Sequence, residues 1–398
     1  MTTKSFLFLL AGLALTSTAA SAQTILAGGK SFRVHESPSI AMSTDQGKTW
    51  TLVYEGARKG QDNPSWVTGL ASGAGKVVAV TNYGLVLTSA DQGKTWTAQD
   101  VSGPLRLNSG FNGVAYGNGI FLAAGQQDAL AYSSDGVSWK RLGTDNLAPG
   151  VAGNAGGGSS AAQQAAKGKL GGLGSKLGGK LGGLGGVVGD VASTARSTKE
   201  VASGAKMTGF HTNTDPRDET KYTHTYGVNF LDGKFYLTGN FGRVAVFAVE
   251  GGKPKFVEAS HIHDQLTSAL RDAASDGKGH VVAFMEEGMK SAYSADGGKT
   301  WEEAFDVKPQ LRGGTYAAGK FLGVSAFGDV ATSSNGKDWQ VTNFTNMNDG
   351  GSLTDAVYAG KNWVLCGLDN SNWYSADGGK TWQRAEAKQL YLRRMLVL

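Results

Sequence analysis

Ser43-Thr-Asp45-Gln-Gly47-Lys-Thr-Trp50 decides the fold, because the chain repeats it. It returns as Ser89-Ala-Asp91-Gln-Gly93-Lys-Thr-Trp96, Ser294-Ala-Asp296-Gly-Gly298-Lys-Thr-Trp301 and Ser375-Ala-Asp377-Gly-Gly379-Lys-Thr-Trp382. Looser copies are Ser133-Ser-Asp135-Gly-Val-Ser-Trp139, one residue shorter, and Ser333-Ser-Asn335-Gly-Lys-Asp-Trp339, with Asn in place of the carboxylate. In each, Asp or Asn can accept hydrogen bonds from backbone N–H groups in a tight turn, and Gly supplies a conformation that a β-carbon opposes. The Trp then opens the next strand, where its indole can pack on neighbouring strands or the adjacent blade. Each box offers one carboxylate, so a metal-ligand role ranks behind the structural one.

The tryptophans of the six boxes are separated by 46, 43, 162, 38 and 43 residues, and the short intervals are the period of a four-stranded propeller blade. The long interval holds about 60 residues of low complexity; the remainder has room for two repeats, so one blade has lost its box. That blade is placed at Tyr226–Thr238, Arg243–Val249 and Lys255–Val257, whose strand–glycine turn–strand pattern parallels Phe111–Ala123 and Ala356–Leu365. The expected fold is therefore all-β, a seven-bladed β-propeller of four-stranded antiparallel blades.

These segments resemble the Asp-box, or BNR repeat, found in sialidases, sortilin-type receptors, several secreted glycanases and the photosystem II assembly factor family. The resemblance implies the propeller but selects no activity. Sialidases add three arginines converging on a carboxylate, a Tyr/Glu nucleophile pair and an Asp acid or base. Here Arg33 in Ser-Phe-Arg33-Val-His-Glu36 is the only echo of their early arginine motif, and no recognisable motif surrounds Arg243 or Arg312, although both could lie nearer the axis.

Within residues 111–142 the expected order is strand a (Gly113–Tyr116), b (Phe121–Ala124), c (Leu130–Ser133), box turn and d (Ser138–Arg141). Box turns and a-to-b turns then share one face of the disc, and b-to-c and d-to-a loops share the other. Tyr83, Asp128, Arg243, Glu286, Glu287, Asp329, Asp369 and Asn370 fall on b-to-c loops and form the candidate ligand face. Two such carboxylates could serve as acid and base, though no spacing rule selects a pair. Ile25–Gly29 aligns with strand a of blade one, and the alternating tail Gln389–Leu398 could take the same innermost place; contact between the two ends is expected.

The basic start, apolar run from Phe6 to Leu15 and Ala20-Ser-Ala22 read as a secretion signal over 1–22, implying a secreted or periplasmic mature protein. Blades one to three then occupy 23–144, a Gly/Lys-rich insertion 145–210, and blades four to seven with a closing strand 211–398. Leu170, Leu173, Leu177, Leu181, Leu184, Val188 and Val191 follow helical spacing in the insertion, but its glycines oppose helix by roughly 1 kcal/mol each. Residues 151–207 hold seven Lys or Arg against Asp190 and Glu200, a net of +5, which makes Lys169–Val191 a possible contact with anionic membrane. Removing Lys4 with the signal lowers the chain's +5 to +4, so the propeller proper is near neutral and no nucleic-acid surface is indicated. Cys366, the single cysteine, reads as a small buried strand residue. His261 and His263 would face one side of a strand, a weak metal site and more simply a loop. No cofactor is implied. The leading functional expectation is a non-enzymatic binding or assembly scaffold whose loop face takes a protein or glycan ligand. A glycoside hydrolase and a membrane-associating envelope protein are the alternatives.

Overall fold

The computed structural model describes residues 23–32, 36–56, 65–107, 109–126, 129–142, 206–207, 224–240, 242–261, 269–285, 291–303, 310–387 and 389–398. The first blade begins with β1 (Ile25–Ser31), β2 (Ser37–Ser43) and β3 (Thr51–Glu55). Blade two is β4 (Val67–Gly73), β5 (Lys76–Thr81), β6 (Leu85–Ser89) and β7 (Thr97–Asp100). Blade three is β8 (Phe111–Gly117), β9 (Ile120–Gly125), β10 (Leu130–Ser133) and β11 (Lys140–Arg141). After the short β12 (Lys206–Met207), blade four is β13 (Thr225–Leu231), β14 (Lys234–Gly239), β15 (Arg243–Glu250) and β16 (Lys253–His261). Blade five is β17 (Leu270–Ser275), β18 (Val281–Met285), β19 (Ala292–Ser294) and β20 (Glu302–Glu303). Blade six is β21 (Leu311–Ala317), β22 (Lys320–Ser325), β23 (Asp329–Ser333) and β24 (Gln340–Asn343). Blade seven is β25 (Leu353–Ala359), β26 (Asn362–Gly367), β27 (Trp373–Ser375) and β28 (Gln383–Arg384), and β29 (Leu390–Val397) ends the chain.

Each blade is an antiparallel sheet, and β29, β4, β8, β13, β17, β21 and β25 pack side by side as a closed inner ring. In blade one the C-terminal β29 holds the innermost place and β1 pairs beside it. The two ends therefore meet as expected, but Ile25–Gly29 is a second strand, not strand a. Its Gly28 and Gly29 explain the exchange: a β-carbon on Gly29 would lie within 3 Å of the Tyr391 backbone, so only glycine lets β29 approach.

Burial follows radial position. The second strands, such as Ile120-Phe-Leu-Ala-Ala-Gly125, are buried on both faces between neighbouring blades and read as continuous apolar runs. Outer strands such as Thr97–Asp100 and Gln340–Asn343 are exposed throughout. The core is accordingly seven apolar clusters, one per blade interface. Every box tryptophan enters the interface with the preceding blade: Trp50 packs against blade seven, Trp96 against one, Trp139 against two, Trp301 against four, Trp339 against five and Trp382 against six.

The boxes share one hydrogen-bond scheme. Ser89 Oγ donates to Asp91 Oδ1 (2.8 Å) and accepts from Gly93 N (2.8 Å), while Thr95 donates its N–H and hydroxyl to the same carboxylate (2.9 and 2.6 Å). Trp96 Nε1 then donates to Gly93 O at 2.9 Å, fixing the indole. Gly93 has φ +85°, and a β-carbon there would meet Leu26 of blade one within 3 Å. The box is thus both a turn and an inter-blade wedge. In blade four a Gly251-Gly252 turn replaces it, and Phe256 fills the interface beside Phe247, their rings 5.6 Å apart. The two-residue β12 extends that sheet by pairing with Ala259–Ser260.

Candidate functional site

All seven inner strands carry a β-bulge at the same level, near the end that receives the d-to-a loops. The bulged residues are Thr68, Asn112, Tyr226, Arg271, Arg312, Thr354 and Arg393, and such bulges re-aim side chains. Three of them tie neighbouring blades: Thr68 Oγ1 donates to Phe111 O (2.7 Å), Asn112 Nδ2 to Thr225 O (2.8 Å) and Thr354 Oγ1 to Leu392 O (3.1 Å). Each acceptor directly precedes the next strand's bulge.

One residue further on stand Gly69, Gly113, Gly227, Asp272, Gly313, Asp355 and Arg394. A β-carbon at any of the four glycines would lie within 3 Å of the next inner strand's backbone, which is why the ring closes so tightly there. The other three positions carry charge. Arg394 of blade one spans the channel to blade five, with Nη1 2.6 Å from Asp272 Oδ2 and Nη2 donating to Arg271 O at 2.6 Å. Nη1 also lies 3.9 Å from Asp355 Oδ1. Asp272 Oδ1 accepts from Asn229 Nδ2 (2.8 Å) and Ala273 N (2.9 Å); Asp355 accepts from Ala356 N (2.8 Å) and Met395 N (2.7 Å). Burial, with the Asp272 carboxylate adding to it, pushes Asp355 up to about 7 against the pull of Arg394. Burial likewise pushes the adjoining Cys366 thiol up.

This strut divides the channel. Towards the loop face is a 40 Å³ recess lined by Arg271, Arg312, Arg393 and Arg394 with Thr68, Asn112, Tyr226 and Thr354, and no carboxylate is among these lining residues. The Arg271 guanidinium lies 4.1 Å from the Tyr226 ring centre and that of Arg393 5.8 Å from Trp66. Nearby, burial and then the charges of Arg243 and Arg271 hold His224 below its ordinary range. Towards the box face lies a 270 Å³ chamber whose charged lining is Asp272, Asp355 and Arg394 alone.

Of the residues expected on the ligand face, the described ones, Tyr83, Arg243, Asp329, Asp369 and Asn370, line neither space. Arg243 is 2% exposed, with Nη2 3.4 Å from Thr225 Oγ1. Asp329 is 7% exposed and accepts from Ser325 Oγ (2.6 Å) and Asn343 Nδ2 (2.7 Å), stabilising its own turn. Asp369 and Asn370 are exposed at positive φ; Asp369 accepts from the Tyr391 hydroxyl, holding it up at about 12, and Asn370 Oδ1 accepts from Gln389 N. Tyr83 is half-buried in its loop. Arg33, Asp128, Glu286, Glu287, His263 and Lys169–Val191 lie outside the described residues, and His261 ends β16. Among the described residues no group of three His, Cys, Asp or Glu is placed to hold a metal, and no helix is long and apolar enough to cross a membrane. Arg312, expected near the axis, lines the recess. Arg271 and Arg393 carry no motif of their own in the sequence; their signal is their alignment with Asn112, Tyr226 and Thr354 at the bulge of each inner strand, with Arg394 one residue on.

The fold and its turns define a seven-bladed β-propeller built on Asp-box repeats. The family model described as BNR/Asp-box repeat matches residues 292–303 and 373–384. Among solved structures, a candidate 6-phosphogluconolactonase from Bacteroides uniformis superposes with TM-score 0.54 at 11% identity, over 95% of this chain and 100% of that one. A Lactobacillus plantarum protein gives 0.51 at 10% identity, covering 95% and 99%. YCF48 bound to D1 peptide gives 0.47 at 14%, covering 80% and 81%. At such identities these likenesses concern the fold alone. No curated protein matches the chain.

Proposed function

We propose that the protein is an exported binding scaffold that receives an acidic segment of a protein partner at the loop-face end of its channel. The observation that carries this reading is the recess itself, where the guanidinium groups of Arg271, Arg312 and Arg393 gather beside Arg394, whose own charge is held by Asp272. Guanidinium forks bind carboxylates bidentately and keep their charge at any physiological pH. A ring of bulges tied blade to blade holds them in place before a ligand arrives, so little ordering is needed on binding. Export rests on the signal-like residues 1–22. The hydrolase reading draws less support, since Asp329, one of its named carboxylates, is committed to Ser325 and Asn343.

The test is fluorescence anisotropy of the mature protein with a labelled ten-residue Glu/Asp peptide and its Gln/Asn counterpart. The acidic peptide should bind, weaken with salt, and lose at least about tenfold in affinity with Arg312→Ala or Arg393→Ala. Equal binding of the neutral peptide, or indifference to both substitutions, would refute the reading. Export is checked by finding the chain outside the cytoplasm with Gln23 as its first residue.

A further inference from the structure

We propose that the box-side chamber of the channel is a second binding site, for a small organic amine with an apolar body. The chamber has 270 Å³, room for on the order of nine waters at about 30 Å³ each. Leu70, Val114, Leu231 and Val357 give it an apolar wall, Asp272, Asp355, Arg394 and Asn229 bring polar groups together at the strut, and Ser275, Thr315 and Tyr316 add hydroxyls elsewhere on the lining. A concave space with an apolar wall and convergent, fixed polar groups is what small-molecule sites share.

The sign of the ligand follows from how the strut is bonded. Arg394 donates Nη1 to Asp272 and Nη2 to the Arg271 carbonyl, so the one positive charge on the lining is already turned towards a carboxylate and is set against two of them. Asp355 stands 3.9 Å from that guanidinium, beyond hydrogen-bond length, and each of its oxygens accepts one backbone N–H. A carboxylate oxygen can accept more than one. Independently, Asn229, which lines the chamber, gives its Nδ2 to Asp272 and leaves a buried Oδ1 without a hydrogen-bond partner. A buried acceptor left in this state favours a donor. Asp355 and Asn229 together ask for N–H groups and positive charge, the opposite of what the arginine recess asks for on the other side of the strut. The site thus goes beyond the acidic-partner reading and does not depend on it.

Asp355 is faced by Arg394 of β29, Asp272 of β17 and the Cys366 thiol of β26. An ammonium bound beside it favours the ionised carboxyl, so binding should release protons near neutrality and tighten as pH rises from 6 to 8.

The experiment is isothermal titration of the mature protein with cyclohexylamine, its neutral isostere cyclohexanol, and cyclohexanecarboxylate. The amine should bind at least about tenfold more tightly than either, with proton release seen as a heat that varies with buffer ionisation enthalpy. Asp355→Asn should abolish the preference and the proton release. Should that variant fail to fold, Thr315→Trp, which fills the chamber from β21, should abolish amine binding while circular dichroism stays unchanged. Arg312→Ala should leave amine binding within about twofold, separating this site from the recess. Equal binding of amine and alcohol, or amine binding that survives Thr315→Trp in a folded protein, overturns the proposal.

Discussion

Lys30 Nζ lies 4.1 Å from the centre of the Trp66 ring, and the same ammonium sits 4.6 Å from Phe32, 5.5 Å from Tyr391 and 3.1 Å from Glu36 Oε1. Lys30 belongs to the N-terminal strand, Tyr391 to the C-terminal strand and Trp66 to blade two. One buried cation therefore joins both chain ends to the next blade at the seam where the ring closes.

Replacing Lys30 with Met keeps the apolar stem and removes the charge, so it isolates the cation–π and ion-pair contribution. We expect a loss of about 2 kcal/mol in urea unfolding, the size of a desolvated cation–π contact. Trp66 fluorescence should change in the folded state. An unchanged midpoint would mean that strand pairing alone closes the ring.

The glycines of the turns are not equivalent. Gly93→Ala forces a β-carbon onto positive φ and into Leu26, whereas at Gly251 nothing lies within 4 Å of the added carbon. Gly251→Ala should cost about 1 kcal/mol from backbone strain, and Gly93→Ala at least 1 kcal/mol more from displaced packing. Thermal unfolding of the two variants measures the difference directly.

Blade number, strand order and the box turns were legible in the sequence because each blade repeats local chemistry: a Gly turn, an apolar second strand, then Asp, Gly and Trp at fixed offsets. Even the boxless blade could be placed, since Phe235 and Phe247 keep its apolar pattern. The axial charges were not legible. Arg394 meets Asp272 across 122 residues, and no local spacing signals a pair formed only when seven strands close a ring. Arg243 and Asp329 were legible as loop-edge residues, but their inward rotation depends on partners, Thr225 and Asn343, on other strands.

The strut itself can be tested for what it does to the ring. Arg394→Met leaves the Asp272 and Asp355 carboxylates buried without their shared counter-ion and should cost about 3–5 kcal/mol. Adding Asp272→Asn to that variant removes the uncompensated charge and should recover part of the loss. A double variant no more stable than Arg394→Met would show that the guanidinium matters for packing instead of charge.

Stability should also depend on pH in two opposed windows. Hydrogen bonds from the Thr95 side chain and N–H and from Ser89 hold Asp91 down to about 2, and in Asp296 the corresponding bonds outweigh burial to give about 2. Such carboxylates bind fewer protons folded than unfolded, so their contribution is present above about pH 4 and is lost as pH falls towards 2. Asp355 has the opposite sign: burial raises it to about 7, the folded state binds more protons than the unfolded state between about 4 and 7, and its contribution is lost as pH rises through 7. The unfolding free energy should therefore peak at mildly acidic pH and decline on both sides. Urea titrations from pH 2.5 to 8 check this with two variants: Asp355→Asn should flatten the decline from pH 5 to 7 and leave the acid limb, while Asp91→Asn should reduce the acid limb alone. If Asp355→Asn leaves the neutral limb as steep as before, the strut carboxyl is ionised throughout and another group titrates there.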